Sequence, residues 1–249
     1  MKTAICSLVV GDRYERLFRK FVFETWQNYS RHHGYELHIF RKPFVELPQK
    51  SWAWQKLFIL DQPQTRVFDR ILWLDSDILI KAGSPPVEAP DGFIGYVIDA
   101  RRYQTVSEWY AQFNLPSARE VVQTGVLLLQ PEHSGILKSA VHYSETRMYE
   151  MPALSRCLSD SNLGHHLDPR FNAVINRLLL DYVPRRILER KSLKELLWMI
   201  RYSPLRKGLH NVCEQNWFLH AAGAKRDLIK VSQFLSNSQR SDDRVESHQ

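Results

Sequence analysis

The sequence predicts an α/β fold built on a largely parallel sheet, and three observations carry that prediction. Residues 71–74 (ILWL) are an unbroken apolar run, as in a strand buried on both faces of a parallel sheet. Strand-like and helix-like segments alternate from the amino terminus, the order expected when right-handed crossovers connect parallel strands. Two carboxylates, Asp75 and Asp77, follow the apolar run at its carboxyl end, where open α/β sheets usually bind ligands.

Taken in order, residues 3–10 (TAICSLVV) read as the opening strand, ended by Gly11 and Asp12. Residues 15–32 place Leu17, Phe18, Phe21, Val22, Thr25 and Trp26 at helical spacing, and Gly34 supplies a C-terminal stop. Residues 35–40 (YELHIF) form a second strand, and residues 52–60 a second helix leading into the strand at 71–75. Residues 92–99 and 125–130 are further strands, and residues 134–149 are helical. Residues 192–202 form a basic amphipathic helix, and residues 212–220 lead into a loop. Beyond these, residues 236–249 are polar and lack a packing face, which predicts a disordered tail after one domain spanning residues 1–235.

Composition narrows the class. A chain of 249 residues, 44% hydrophobic and 24% charged, suits a soluble globular protein with a substantial core. Cys6, Cys157 and Cys213 are odd in number, widely spaced and without C-x-x-C, which points to reduced thiols in a cytoplasmic protein. No signal peptide is evident, and no run approaches the roughly 20 apolar residues that span a bilayer. The net charge of +7 favours anionic partners. Its bases lack regular aromatic interleaving and no nucleic-acid-binding motif is present, so nucleic acid is not the expected partner.

The usual nucleotide fingerprints, G-x-G-x-x-G and G-x-x-x-x-G-K-[ST], are absent, as is the G-x-S-x-G elbow. His32-His33 and His165-His166 are adjacent pairs, not the i, i+4 spacing of a helical zinc site. Asp75-Ser76-Asp77 is the stronger signal. Two carboxylates two residues apart at a bend can converge on one hard divalent cation, which then holds the phosphate oxygens of a nucleotide. In so apolar a setting such a pair is costly unless something neutralises it.

Four segments, in order, give the chain a family resemblance. They are residues 26–39 (WQNYSRHHGYELHI), residues 54–57 (WQKL) with the following strand and Asp75-Ser76-Asp77, residues 123–128 (QTGVLL), and residues 219–225 (LHAAGAK). Together they resemble metal-dependent GT-A glycosyltransferases, the bacterial relatives of the α-galactosyl/α-mannosyl transferase and glycogenin-like families, over about residues 3–230. The resemblance implies a single GT-A, Rossmann-like domain with a mixed, mostly parallel central sheet flanked by helices.

It also implies a site. Asp75, Asp77 and His220 would bind Mn²⁺ or Mg²⁺, and an imidazole among oxygens favours Mn²⁺. Ser76 lies within that motif, and Gly223 would let the backbone approach the diphosphate. Lys225 would neutralise the departing phosphate, and Lys56 would reach the phosphates or the donor sugar. Val9, Val10 and Tyr14 match positions that hold the nucleoside base. Asp99 resembles the aspartate that holds donor-sugar hydroxyls, and Gln123 stands where relatives carry Asn. The family's acidic-Gln-acidic motif is missing from residues 150–172, and Phe171 replaces a Trp.

The activity implied is transfer of a sugar from a UDP-sugar to a carbohydrate or lipid-linked glycan, with retention of configuration. One alternative is an inverting enzyme with Glu150 or Asp160 as base. Another is a nucleotide-binding protein of the same fold without turnover. A membrane-bound acceptor would suit the segment 184–207. There Leu193, Leu196, Leu197 and Ile200 share one helical face, and Arg185, Arg186, Arg190, Lys191, Lys194, Arg201, Arg206 and Lys207 supply charge for peripheral contact with an anionic membrane.

Overall fold

The computed structural model describes residues 1–99, 104–143, 149–188, 190, 194, 197–198, 202–222 and 227–236. Its strands are β1 (Thr3–Leu8), β2 (Glu36–Phe40), β3 (Arg70–Leu74), β4 (Ile78–Ile80), β5 (Ile94–Ile98), β6 (Val122–Leu129), β7 (Gly164–His166), β8 (Ala173–Val174) and β9 (Phe218–His220). The chain packs as two compact units, one of residues 1–16, 30–76 and 86–169, the other of residues 17–29, 77–85 and 170–249.

The first unit holds a six-stranded sheet in the order β2-β1-β3-β6-β5-β7. Strands β2 and β3 lie parallel on either side of β1, as the alternating sequence predicts. Strand β6 then enters antiparallel between β3 and β5, and β7 pairs parallel with β5, so three of the five ladders are parallel. All eight residues of β6 are buried, which is why its sequence shows no alternation. Ala4, Cys6, Ile71 and Trp73 from the strands join Trp54, Leu57 and Leu60 and, from the helix Met151–Ser161, Leu154 and Leu158 in one core. The sheet is therefore mixed, mostly parallel and helix-flanked, in an α/β architecture.

The second unit has a three-stranded sheet, β4-β9-β8, with β4 antiparallel and β8 parallel to β9. Trp26 anchors it by donating its indole N–H to the Ile78 carbonyl over 2.8 Å, and Tyr29 packs edge-on against Phe218. Short strands such as β4, β8 and β9 carry too few residues for a periodic signal, and the sequence did not announce them.

Several elements depart from expectation. The helix expected over residues 15–32 is two, Asp12–Phe21 and Phe23–His33. At the break the Thr25 hydroxyl donates to the Val22 carbonyl over 2.7 Å, so a side chain competes for a backbone acceptor. The segment Trp52–Asp61 is a 3-10 helix, with Trp54, Gln55, Lys56, Leu57, Ile59 and Leu60 all buried. Burial on so many sides leaves no single amphipathic stripe, and a 3-10 run of this length is uncommon. The helix begun at Ser134 ends at Ser139, followed by the 3-10 turn Ala140–His142. Residues 212–220 form the end of the helix Ser203–Gln215 and then β9. Residues 227–236 are helical, so Ser236 belongs to ordered chain, and residues 237–249 of the expected tail lie outside the described residues.

The basic segment also departs from expectation. Lys194 is buried and pairs with the Asp227 carboxylate, while its ammonium also donates to Asn176. Trp198 is only 7% exposed. Lys194 is thus an interior ion-pair partner and is lost from any lipid-facing surface. Lys191, Leu193, Leu196, Met199, Ile200 and Arg201 lie outside the described residues. Among the described residues, no helix is long and apolar enough to cross a membrane. Cys6, Cys157 and Cys213 are free, buried thiols, and burial pushes Cys213 up to about 12.

The edge strand β7 supplies a packing prediction. A Cβ on Gly164 would lie 2.0 Å from the Tyr96 hydroxyl. Tyr96 cannot yield easily, because it is buried and donates to Glu120 Oε1 over 2.5 Å, while His166 holds the same carboxylate at 3.0 Å. Gly164→Ala is expected to destabilise by about 1–3 kcal/mol through overpacking. Urea denaturation measures this, and an unshifted midpoint would show that the ring moves aside at no cost.

Candidate functional site

In the first unit the parallel strands β1 and β3 bring their carboxyl ends together. The Ser7 hydroxyl donates to the Leu74 carbonyl over 2.6 Å, fixing that junction. Val9 follows β1, is buried and donates its N–H to the Phe40 carbonyl; Val10 is half-buried. Tyr14, at 59% exposed, presents an open aromatic face at the start of the helix Asp12–Phe21. An exposed ring on the helix that follows β1 can offer a stacking surface for a base, beside half-buried Val10.

Asp75 begins where β3 ends. Its N–H donates to the Gly125 carbonyl over 2.8 Å, so β6 sets its backbone position. Its side chain is 30% exposed, and its Oδ1 accepts from the Trp73 indole at 2.9 Å and from the Lys56 ammonium at 2.8 Å. Lys56 is buried to 2% exposure and also contacts Glu150 Oε1 at 2.7 Å and the Thr124 carbonyl at 3.0 Å. The Thr124 hydroxyl completes the cluster by donating to Glu150 Oε1 over 2.7 Å. An ammonium has three N–H groups, and these three contacts engage them. Burial alone would lower the Lys56 pKa, but Asp75 and Glu150 outweigh it and hold the group above its ordinary value.

Sequence reasoning aimed Lys56 at phosphate or sugar. The fold aims it at Asp75 and Glu150, and contact with a phosphate would require giving up one of those bonds. Glu150, considered as a general base, is 3% exposed and committed to Lys56 and Thr124. A base must meet its proton, and this carboxylate faces inward. Asp160 pairs with Arg156 one helical turn away on the helix Met151–Ser161. It lies roughly 15 Å along that helix axis from Glu150 at 1.5 Å per residue. Glu150 is thus buried in an ion pair, whereas Asp160 is about half exposed in a surface pair with Arg156.

Asp99 follows β5, is buried, and donates its N–H to the Val121 carbonyl over 2.7 Å. Gln123 pairs in register with Val97 and adjoins Thr124, so it stands beside the Lys56 cluster in the chain. Ser76 is half-buried and closes the first unit's share of the motif.

Asp77 opens the second unit's share, and β4 and β9 define its surroundings. Its carbonyl accepts from the Ala221 N–H over 3.1 Å. Asp77 Oδ1 lies 3.3 Å from His220 Nε2, while His220 Nδ1 lies 2.9 Å from Asn172 Oδ1. Asn172 Oδ1 can accept a proton from Nδ1, an arrangement that turns Nε2 toward the Asp77 carboxylate. A carboxylate and an imidazole nitrogen at that separation can share a proton or a cation. Among the described residues no three His, Cys, Asp or Glu side chains are gathered as a metal-binding group. The donor chemistry of Asp77 and His220 nonetheless fits a divalent cation, with Asn172 fixing the ring. Gly223 and Lys225 lie outside the described residues.

Sequence reasoning missed three supporting residues: Trp73, Thr124 and Asn172. Trp73 and Thr124 sit inside quoted segments, and Asn172 ends the stretch LDPRFN. Nothing in their type distinguishes them from ordinary packing residues until the fold pairs them. A cavity of about 170 Å³ in the second unit, lined among others by Lys20, Thr25, Lys81, Glu214 and Phe234, includes none of the expected site residues.

No protein-family profile matches the chain, and no curated protein matches it by sequence. Solved structures do. A glycosyltransferase involved in glycosylation of the major capsid of PBCV-1 superposes with a TM-score of 0.58 at 14% identity, over 94% of this chain and 98% of that one. The galactosyltransferase LgtC, in complex with donor and acceptor sugar analogs, gives 0.52 at 12% identity, over 92% and 95%. The glycosyltransferase GlyE of Streptococcus pneumoniae gives 0.51 at 13% identity, over 97% of this chain and 65% of that one. With the mixed sheet and the carboxylates at the end of β3, these likenesses show that the chain has the GT-A fold of glycosyltransferases.

Proposed function

We propose that the protein is a metal-dependent glycosyltransferase that moves a sugar from a UDP-sugar to a carbohydrate or lipid-linked glycan. The observation that carries this reading is the treatment of the two carboxylates after β3. Asp75 is held rigidly by Lys56 and Trp73 yet keeps solvent access, and Asp77 faces an imidazole oriented by Asn172. Asp77 and His220, with Asp75 two residues earlier in the chain, are the proposed ligands of Mn²⁺ or Mg²⁺. When bound, such an ion would polarise the donor diphosphate and offset the charge it gains as the sugar departs.

The chain's own groups divide the remaining work. Val9, Val10 and Tyr14 would hold the base, and Asp99 and Gln123 the donor-sugar hydroxyls. Lys225 would clamp the leaving phosphate electrostatically, with Gly223 allowing close backbone approach. Retention is favoured over inversion because Glu150 and Asp160 are both committed to ion pairs. Among the described bases of this segment, contact with an anionic membrane would draw on Arg185, Arg186, Arg190, Arg206 and Lys207, which are exposed, and not on Lys194.

A screen of nucleotide sugars for Mn²⁺-dependent hydrolysis, followed by NMR of the product anomer, tests the reading. Hydrolysis of no donor in the presence of Mn²⁺, with no donor bound, would favour a protein of this fold without catalytic function. In the active case Lys225→Ala is expected to lower kcat by about 10²–10³-fold and to raise donor KM less, because leaving-group charge grows toward the transition state. A change confined to donor KM would make Lys225 a binding residue only.

A further inference from the structure

Lys56 is an interior ammonium between two carboxylates. Its three N–H groups go to Asp75 Oδ1, Glu150 Oε1 and the Thr124 carbonyl, at 2.8, 2.7 and 3.0 Å. The three ionised groups sum to one negative charge. Of the three, only Asp75 is appreciably open to solvent, at 30%, against 2% for Lys56 and 4% for Glu150. Asp75 Oδ1 already accepts two donors, from Lys56 and Trp73, so Oδ2 is the oxygen left to an outside cation.

We propose that Lys56 and the divalent cation compete for the negative charge of Asp75, and that Glu150 sets the balance by drawing Lys56 toward itself. This rests on the metal reading of Asp75 given above. An ammonium 2.8 Å from a carboxylate offsets much of the potential that would attract a cation, most of all where water is excluded. Glu150 shares that ammonium, so part of the negative charge of Asp75 stays available to the metal. The Thr124 hydroxyl donates to the Glu150 oxygen that contacts Lys56, which moderates how strongly Glu150 claims the ammonium. Glu150 is therefore a positioning residue for metal affinity, acting through Lys56.

The competition makes predictions of opposite sign. Glu150→Gln leaves Lys56 to Asp75 alone, and Mn²⁺ affinity is expected to fall by about tenfold. The double variant Lys56→Met/Glu150→Gln keeps the cluster at one negative charge but frees Asp75 from its ammonium, and affinity is expected to rise about tenfold above wild type. Thr124→Val strengthens the claim of Glu150 on Lys56 and is expected to tighten binding modestly, without loss of any buried charge.

The experiment measures free aqueous Mn²⁺ by electron paramagnetic resonance as the full chain is titrated, with no nucleotide present. Far-UV circular dichroism checks the fold of each variant. Weaker binding for Glu150→Gln with tighter binding for the double variant, or for Thr124→Val should the double variant not fold, supports the competition. Shifts in the same direction for all variants would reveal a purely structural role and overturn it. Equal affinity of wild type and double variant would reduce the effect to net charge and overturn it too. If wild type bound no Mn²⁺, the metal reading itself would fall, and this inference with it.

Discussion

Lys56→Met is expected to destabilise the protein by about 3–5 kcal/mol, because it leaves a carboxylate buried without its counter-ion. Glu150 is 3% exposed and would keep only the Thr124 hydroxyl among its described partners, while the Thr124 carbonyl would lose a donor. The ion pair itself need not be a source of stability, since apolar or neutral replacement of both partners is often tolerated. Adding Glu150→Gln to Lys56→Met is therefore expected to recover a large part of the loss. A double-mutant cycle in urea provides the measurement. If the single variant were as stable as wild type, Glu150 would have to be taking a proton or opening to water, and the cluster would not be the closed one described above.

Asp75→Asn and Asp77→Asn are each expected to lower turnover by about 10²–10³-fold or more, since each removes a charged oxygen from the proposed metal site. The fold should survive both changes. Lys56 keeps Glu150 when Asp75 becomes neutral, and His220 keeps Asn172 when Asp77 does. Mn²⁺-dependent hydrolysis of the donor, alongside a thermal melt, separates loss of chemistry from loss of structure. Full activity in both variants at saturating Mn²⁺ would remove these carboxylates from the metal site.

Particular residues show why some of this was legible beforehand. The strand ending at Leu74 announced itself because a strand buried on both faces must be apolar throughout, and the polar Asp75 then stood out against it. Gly34 marked the end of the helix Phe23–His33 because its φ of +69° is a left-handed conformation that favours glycine. The antiparallel direction of β6 was not legible: a run of eight buried residues reads the same in either direction. Nor was the 3-10 form of Trp52–Asp61, which is buried on several sides and so shows no amphipathic stripe whose period could reveal its winding.

The sequence by itself determined the α/β class, the parallel start of the sheet and the position of Asp75 and Asp77 at a strand end. Each of these depends on residues near one another in the chain. Tertiary structure decided what the charges do. Lys56 and Glu150 stand far apart in sequence, and only the fold turns a lysine expected on a phosphate and a glutamate considered as a base into one buried pair at Asp75. Lys194 shows the same effect, since Asp227 makes an interior partner of a base that helical periodicity assigned to a membrane-facing surface. The physical reason is that burying a charge is costly unless an opposite charge meets it, and a linear pattern does not reveal which distant residue will do so.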